Sequence, residues 1–133
     1  MAFGFSFART SPDYTDTPPR DVHDLSAYRI LDVRGPGEFY GPLGHLPGAE
    51  LIPVSMLPGR LDSLAIATHE PVLLVCRSGA RSAQAAAFMA DHGYRQVHNL
   101  SGGMMAWRRE DRDSCVDAHG PGFPRCTTPA PRG

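Results

Sequence analysis

One cysteine, Cys76, lies where its thiol could act as a nucleophile. It follows the continuously apolar residues 72–75 and opens the loop Cys76-Arg77-Ser78-Gly79-Ala80-Arg81-Ser82, after which an alanine-rich helix is predicted. A thiolate is stabilised at the start of a helix and beside guanidinium groups. Backbone N–H groups of such a loop converge on the anion that the sulfur carries or attacks. The alternative is a buried structural cysteine, which the loop position and the two arginines make the poorer interpretation.

The two arginines of this loop are predicted to bind an anionic substrate. Most arginines are solvated surface charges, and this is the alternative for both Arg77 and Arg81. Arg81, however, begins the predicted helix, where a positive charge opposes the helix dipole. This placement favours an anion-binding role. At four other loop positions, backbone shape is expected to matter more than side-chain chemistry: Ser78, Gly79, Ala80 and Ser82. Gly79 permits a left-handed turn, and Ser82 can hydrogen-bond within the loop.

Three further polar residues are predicted to support the loop. Asp32 lies at the end of a predicted strand and Arg34 just after it, and a structural ion pair is favoured over a direct role in orienting the loop. Glu38 is a candidate partner for Arg34. His45 lies in a Gly-His-Leu-Pro-Gly turn, where it is expected to fix the loop by hydrogen bonding, because an acidic thiol needs no separate base.

The elements that position these residues alternate between strands and helices. Thr17 is predicted to cap a short helix that runs from Pro18 to about Leu25, after a short strand near Tyr14. The other predicted strands are residues 28–33, 50–54, 72–75 and 96–100. Three further helices are predicted: one that begins at Pro58 and carries Leu61 and Leu64, one from Ala80 to His92 that ends before Gly93, and one from Gly103 to Glu110. A small-residue face on the second of these helices is predicted at Ala83, Ala86, Ala87 and Ala90. This alternation predicts an α/β layer fold with a mainly parallel sheet, whose site lies at the carboxyl ends of the strands.

The length and composition are those of one ordinary globular domain. The 133 residues are 41% hydrophobic and carry a formal net charge of −1, so no attraction to nucleic acid or to an anionic membrane is expected. The apolar N-terminus lacks the basic start and the cleavage site of a signal peptide, and no stretch could span a bilayer. Three cysteines form no disulfide framework. A cytoplasmic protein is the resulting expectation.

The two ends of the chain differ from its middle. Residues 1–13 are predicted to be a flexible leader, residues 14–110 the folded domain, and residues 111–133 a mobile tail with few aliphatic residues. Cys115, His119 and Cys126 in this tail could bind zinc, but a fourth ligand at a reliable spacing is missing, so no metal site is predicted. Cys115 or Cys126 could also receive a group from Cys76 or form a disulfide with it, although incidental thiols are the simpler interpretation.

Four short motifs give the chain a family resemblance. They lie in order between residues 14 and 110, and they are Leu31-Asp32-Val33-Arg34 followed by Glu38-Phe39, then Gly44-His45-Leu46-Pro47-Gly48-Ala49, then the loop Cys76 to Ser82, and last Asn99-Leu100-Ser101-Gly102-Gly103-Met104 with Ala106-Trp107. Together they resemble the signatures of the rhodanese family, the single-domain thiosulfate sulfurtransferases and persulfide carriers.

This resemblance implies both a fold and a reaction. The fold would be a three-layer one, with a mainly parallel five-stranded sheet flanked by helices. The reaction would be transfer of a sulfane sulfur through a persulfide on Cys76, with no cofactor. The donor would be a small anion, thiosulfate or a persulfide, and the acceptor cyanide or a thiol, including a protein thiol.

Two other classes of function are weighed against this one. A cysteine phosphatase or arsenate reductase would need one more residue between the cysteine and the arginine, to hold a tetrahedral oxyanion; here four residues separate Cys76 from Arg81. A non-catalytic interaction module is the second alternative, and family members of that kind have lost the cysteine, which is present here.

Overall fold

A computed structural model describes residues 14–110, which are built around a five-stranded sheet. The strands are β1 (Thr15–Thr17), β2 (Arg29–Asp32), β3 (Glu50–Leu51), β4 (Val72–Val75) and β5 (Val97–Leu100). Their order is β1-β5-β4-β2-β3, and every neighbouring pair is parallel. The prediction of a mainly parallel α/β sheet is confirmed. The predicted leader and tail, with Cys115, His119 and Cys126, lie outside the described residues.

Helices and short turns connect the strands. The helices are α1 (Pro36–Phe39), α2 (Leu57–Arg60), α3 (Ala80–Asp91) and α4 (Gly103–Arg109), and 3₁₀ turns cover Pro19–Asp21, Leu25–Ala27, Val54–Met56 and Asp62–Leu64. As predicted, Pro58 lies in the first turn of α2 and Gly93 follows the end of α3 with a positive φ of 95°. Leu61 and Leu64 lie just beyond α2, at its C-cap and in the following 3₁₀ turn.

The central strand β4 is buried on both faces of the sheet. All four of its residues are fully buried, and alternate side chains point to opposite faces. Val72 and Leu74 pack on the α3 side, in a core that includes Ala85, Ala86 and Met89, whereas Leu73 and Val75 pack with Met104 and Trp107 of α4. Burial of each such aliphatic side chain contributes about 1.5–3 kcal/mol. The apolar run that precedes Cys76 is therefore the rigid centre of the domain.

The prediction that Thr17 caps a helix is wrong. Thr17 is the last residue of β1, its carbonyl accepts a hydrogen bond from the N–H of Ser101, and its hydroxyl contacts His98 Nδ1 at 3.0 Å. The helix expected through Leu25 is replaced by two 3₁₀ turns. Since Pro18 is followed by Pro19, the α conformation is disfavoured at Pro18, which is extended with φ −70° and ψ 159°.

The predicted small-residue face of α3 is also wrong in its direction. The buried residues of α3 are Ser82, Ala85, Ala86 and Met89, and of the predicted set only Ala86 is among them. Alanine is compatible with either side of a helix, so the six alanines of α3 cannot fix its rotation. At the N-terminus of α3 the buried side is marked by Ser82, whose hydroxyl lies 3.3 Å from Cys76 Sγ.

Candidate active site

Cys76 lies at the carboxyl end of β4, between the ends of β2 and β5. Strand β2 continues alongside it, because the N–H of Val33 donates to the carbonyl of Val75 at 2.9 Å. From the other side, the first turn of α4 bonds back to the loop: the N–H of Met104 donates to the carbonyl of Cys76 at 2.9 Å, and that of Met105 to the carbonyl of Arg77 at 3.0 Å. The loop is therefore held by the sheet and by the start of α4.

Two glycines allow this close approach. Gly79 is the N-cap of α3 with φ 107°, so the predicted left-handed turn is confirmed. Gly103, at the start of α4, has φ 60°, and a Cβ at this position would overlap the backbone carbonyl groups of Cys76 and Arg77. Only a residue without a side chain fits between α4 and the loop.

The sulfur of Cys76 is buried and accepts several hydrogen bonds. The N–H of Gly79 donates to Sγ at 3.0 Å, and the hydroxyl of Ser82 lies 3.3 Å from it. Burial raises the pKa of the thiol, but the hydroxyl of Ser82 and the backbone N–H groups of Ser82, Gly79 and Ser78 outweigh it, so the pKa is lowered. Cys76 is 1% exposed, whereas its loop neighbours Arg77, Ser78 and Ala80 are exposed, so the sulfur lies at the boundary between core and surface.

The two loop arginines have different surroundings. Arg77 is exposed, and no hydrogen bond or ion pair of its side chain is found among residues 14–110. Arg81 instead donates two hydrogen bonds to the carboxylate of Glu38, at 2.8 and 2.9 Å. These bonds raise the pKa of Arg81 against an opposing effect of burial, and the negative charges of Glu38, Cys76 and Asp32 raise it further. The pairing of Glu38 with Arg34, one of the sequence-based hypotheses, is wrong.

Arg34 is paired with Asp32 instead, in the interior of the domain. The guanidinium donates to both carboxylate oxygens of Asp32 at 2.7 and 2.8 Å, and the exposed fractions of the two side chains are 1% and 0%. Arg34 also donates to the carbonyl of Gly44 at 2.7 Å, which ties the loop before β3 to the end of β2. The structural ion pair predicted for Asp32 and Arg34 is present.

His45 fixes a neighbouring part of the same loop. Its Nδ1 lies 2.9 Å from the carbonyl oxygen of Phe39, and its ring stacks on that of Phe39 with centroids 3.7 Å apart. His45 is buried, and none of its contacts is with Cys76. These contacts are those expected of a residue that fixes the turn by hydrogen bonding, and a supporting role of His45 at the site stays a prediction.

Two residues at the site, Asn99 and Asp16, are not predicted to act there from the sequence. Asn99 is buried at the end of β5, where its Oδ1 accepts a short hydrogen bond from the hydroxyl of Ser82. Its Nδ2 donates to Asp16 Oδ1 at 2.9 Å and to the carbonyl of Gly79 at 3.3 Å. The sequence signal for the role of Asn99 is an amide side chain in a buried strand, because a buried amide must find hydrogen-bond partners.

Comparison with known proteins places the chain in a family. A family model for the rhodanese-like domain matches residues 19–110. A sulfurtransferase of Allochromatium vinosum is 40% identical over 86 residues, which are 65% of this chain and 77% of that protein. The thiosulfate sulfurtransferase GlpE of Stutzerimonas stutzeri is 31% identical over 99 residues, covering 72% and 86%. A rhodanese-related protein from Thermoplasma volcanium has a similar structure, with a TM-score of 0.67 and 28% identity over 75% of this chain and 96% of that one.

The chain belongs to the rhodanese-like sulfurtransferase family. The family resemblance seen in the four motifs is thereby confirmed, and so is the predicted fold. The relatives imply a sulfur donor and a sulfur acceptor as its partners. Across the described part of the chain, none of the helices has the length and apolar character that a bilayer-spanning helix requires.

Removal of the Asp32 carboxylate should destabilise the domain strongly. In Asp32→Ala the guanidinium of Arg34 would stay buried without its counter-charge, which costs about 3–5 kcal/mol. Glu50→Ala is the matched control, because Glu50 pairs with Arg29 at 2.9 Å in a partly exposed position and its loss should cost no more than about 1 kcal/mol. Urea unfolding measures both, and equal losses would contradict the importance of burial.

Insertion of a methyl group at position 103 should disturb the loop. Gly103→Ala combines an unfavourable positive φ with overlap against the loop backbone, and we expect a loss of at least about 1–3 kcal/mol together with slower alkylation of Cys76. Gly59→Ala is the control, since nothing lies within 4 Å of a Cβ there. Unfolding curves and alkylation rates that are the same for both variants would show that α4 does not shape the loop.

Proposed function

We propose that this domain moves a sulfane sulfur from thiosulfate, or a related persulfide donor, to cyanide or a thiol through a persulfide on Cys76. The observation that carries the proposal is the set of hydrogen-bond donors around Sγ, which lowers the pKa of a buried thiol. A thiolate, not a thiol, is the sulfur nucleophile. The similarity to a protein named thiosulfate sulfurtransferase supports thiosulfate as the donor.

The proposed reaction has two half-reactions. The Cys76 thiolate attacks the outer sulfur of thiosulfate, the S–S bond of thiosulfate breaks, and sulfite leaves with the bonding electron pair. Cyanide or a thiolate then attacks the terminal sulfur of the Cys76 persulfide, and the Cys76 thiolate is released. Each half-reaction is one nucleophilic displacement at sulfur, so no external oxidant or reductant is needed, and ping-pong kinetics follow.

The loop residues have separate parts in this scheme. The backbone N–H groups of Ser78, Gly79 and Ser82 stabilise negative charge on the Cys76 sulfur and would do the same for a terminal persulfide sulfur next to it. Arg77 is exposed and able to meet the anionic end of the donor. Arg81 contributes its charge while bound to Glu38, so its first effect is on the shape and potential of the loop.

A phosphatase is less well supported by the same geometry. The arginine of a phosphate-binding loop must turn its guanidinium to the oxyanion, whereas Arg81 is engaged by both oxygens of Glu38. The loop is also one residue shorter than such a loop requires. An interaction module remains the alternative for the case in which Cys76 shows no turnover. A protein thiol as the acceptor would combine docking with transfer.

Cys76→Ser should stay folded and lose sulfur transfer to the background rate. Serine is nearly isosteric, but its hydroxyl is not ionised at neutral pH. The measurement is thiocyanate formation from thiosulfate and cyanide, together with intact mass after incubation with thiosulfate alone, which reports one added sulfur atom. The control is a Cys115→Ser/Cys126→Ser variant, which should keep both signals. Full turnover in Cys76→Ser would reject the nucleophile, and rapid aryl phosphate hydrolysis by the unaltered chain would favour a phosphatase.

The two arginine variants should differ in their kinetics. Arg77→Ala should raise the KM for thiosulfate about tenfold with little change in stability, because it removes one charge-assisted contact. Arg81→Ala should raise the KM for thiosulfate further, because it leaves the Glu38 carboxylate free to repel a dianion. The double variant Arg81→Ala/Glu38→Gln should recover part of that loss. Unchanged KM values would show that the loop backbone alone holds the donor.

A further inference from the structure

A chain of polar side chains runs from the edge strand β1 to the sulfur of Cys76. Asp16, exposed on β1, accepts from Asn99 at 2.9 Å; Asn99 accepts from Ser82; and the hydroxyl of Ser82 lies 3.3 Å from Cys76 Sγ. Ser82 and Asn99 are buried, with exposed fractions of 0% and 3%. Of this chain the proposed transfer of sulfur uses only Cys76 and Ser82, and it assigns no part to Asn99 or Asp16.

The orientation of the Asn99 amide is fixed by its partners. Its Nδ2 faces a carboxylate oxygen of Asp16 and the carbonyl oxygen of Gly79, and both can only accept hydrogen bonds. The NH₂ group must therefore point to them, and the amide oxygen must face Ser82. A flipped amide would set its one oxygen against two acceptor oxygens and its NH₂ group against the Ser82 hydroxyl.

Ser82 then has one hydroxyl proton and two acceptors. One acceptor is Asn99 Oδ1, a neutral amide oxygen, and the other is Cys76 Sγ. While Cys76 is a thiol, the amide oxygen is the better acceptor, and the S–H can donate to the oxygen of Ser82. Once Cys76 is a thiolate, a hydrogen bond to the charged sulfur is the stronger one.

We infer that Asn99 is a positioning residue that holds the proton of the Ser82 hydroxyl away from Cys76 Sγ until the sulfur is ionised, when the hydroxyl turns from the amide to the sulfur. Asp16 is the residue that keeps the amide in the required orientation. Ionisation of Cys76 therefore includes the loss of one Ser82–Asn99 hydrogen bond. Asn99 opposes the ionisation, and Ser82 assists it.

The consequence for sulfur transfer rests on the proposed function. A thiolate that is stabilised too strongly is a weaker nucleophile, because nucleophilicity falls with pKa. In the Cys76 persulfide the negative charge has moved to the terminal sulfur, so the inner sulfur becomes a poor acceptor. The Ser82 hydroxyl can then return to Asn99, which favours formation of the persulfide from the thiolate.

Other charges also act on the sulfur and must be kept constant in a test. Those on the elements packed around Cys76 are Asp32 and Arg34 at the end of β2, Glu38 on α1, Arg77 in the loop, Arg81 on α3 and Asp16 on β1. The Asn99 variant alters none of them. The Asp16 variant removes one charge, and for that reason it needs a background in which the hydroxyl is absent.

The test is the pKa of Cys76, measured from the pH dependence of alkylation by iodoacetamide in a Cys115→Ser/Cys126→Ser background. Ser82→Ala should raise this pKa, because a donor to the thiolate is lost. Asn99→Leu, which is close in size, should lower it by about half a unit to one unit, since a competing neutral hydrogen bond is removed. A residue that merely held Ser82 in place would shift the pKa upward when removed.

Two further variants complete the cycle. In a Ser82→Ala background, Asn99→Leu should leave the pKa unchanged, because Asn99 acts through the hydroxyl. Asp16→Ala should lower the pKa when Ser82 is present by more than it does when Ser82 is absent. A raised or unchanged pKa in Asn99→Leu overturns the proposal; should that variant not fold, equal Asp16→Ala shifts in both backgrounds do so. No sulfur donor is used, so the result is independent of whether the domain transfers sulfur.

Discussion

The hydrogen bonds to Cys76 Sγ offset the cost of placing a charged sulfur in a nearly closed position at the end of β4. Burial by itself would raise the pKa of the thiol, and the hydroxyl of Ser82 together with the N–H groups of Ser82, Gly79 and Ser78 outweighs this effect because the loop curves around the sulfur. The curve depends on the left-handed conformation of Gly79. Every other feature of the site either holds this loop in place or sets the charge around it.

The loop is held by backbone contacts that the sheet order makes possible. Because β4 lies between β2 and β5, the segments that follow these two strands meet at Cys76. The first turn of α4 supplies N–H groups to the loop carbonyls, and Gly103 gives the room for them. Burial of the Asp32–Arg34 pair adds a second anchor, since Arg34 also binds the carbonyl of Gly44. The site is therefore a product of packing between several loops.

Much of this could be predicted from the sequence by local rules. The apolar run of β4, the cysteine after it and the glycine that precedes α3 are local signals, and the structure has them as expected. The failures share a cause. Thr17 is of a residue type that is typical of helix caps, but it pairs with β5. The alanines of α3 carry no information about which side of the helix is buried. Where a residue type suits two environments, packing between distant segments decides.

The fold class, the position of Cys76 and the short loop around its sulfur could be predicted from the sequence, because they follow from periodicity and from adjacent residues. Tertiary contacts decide which charges pair, since Glu38 binds Arg81 across 43 positions. They also decide which way the Asn99 amide faces, since its partners Ser82 and Asp16 are 17 and 83 positions away. The physical reason is the distance along the sequence between the residues that interact. Backbone conformation is set by neighbours in sequence, whereas a hydrogen-bond network depends on the register of strands that meet only in the folded chain.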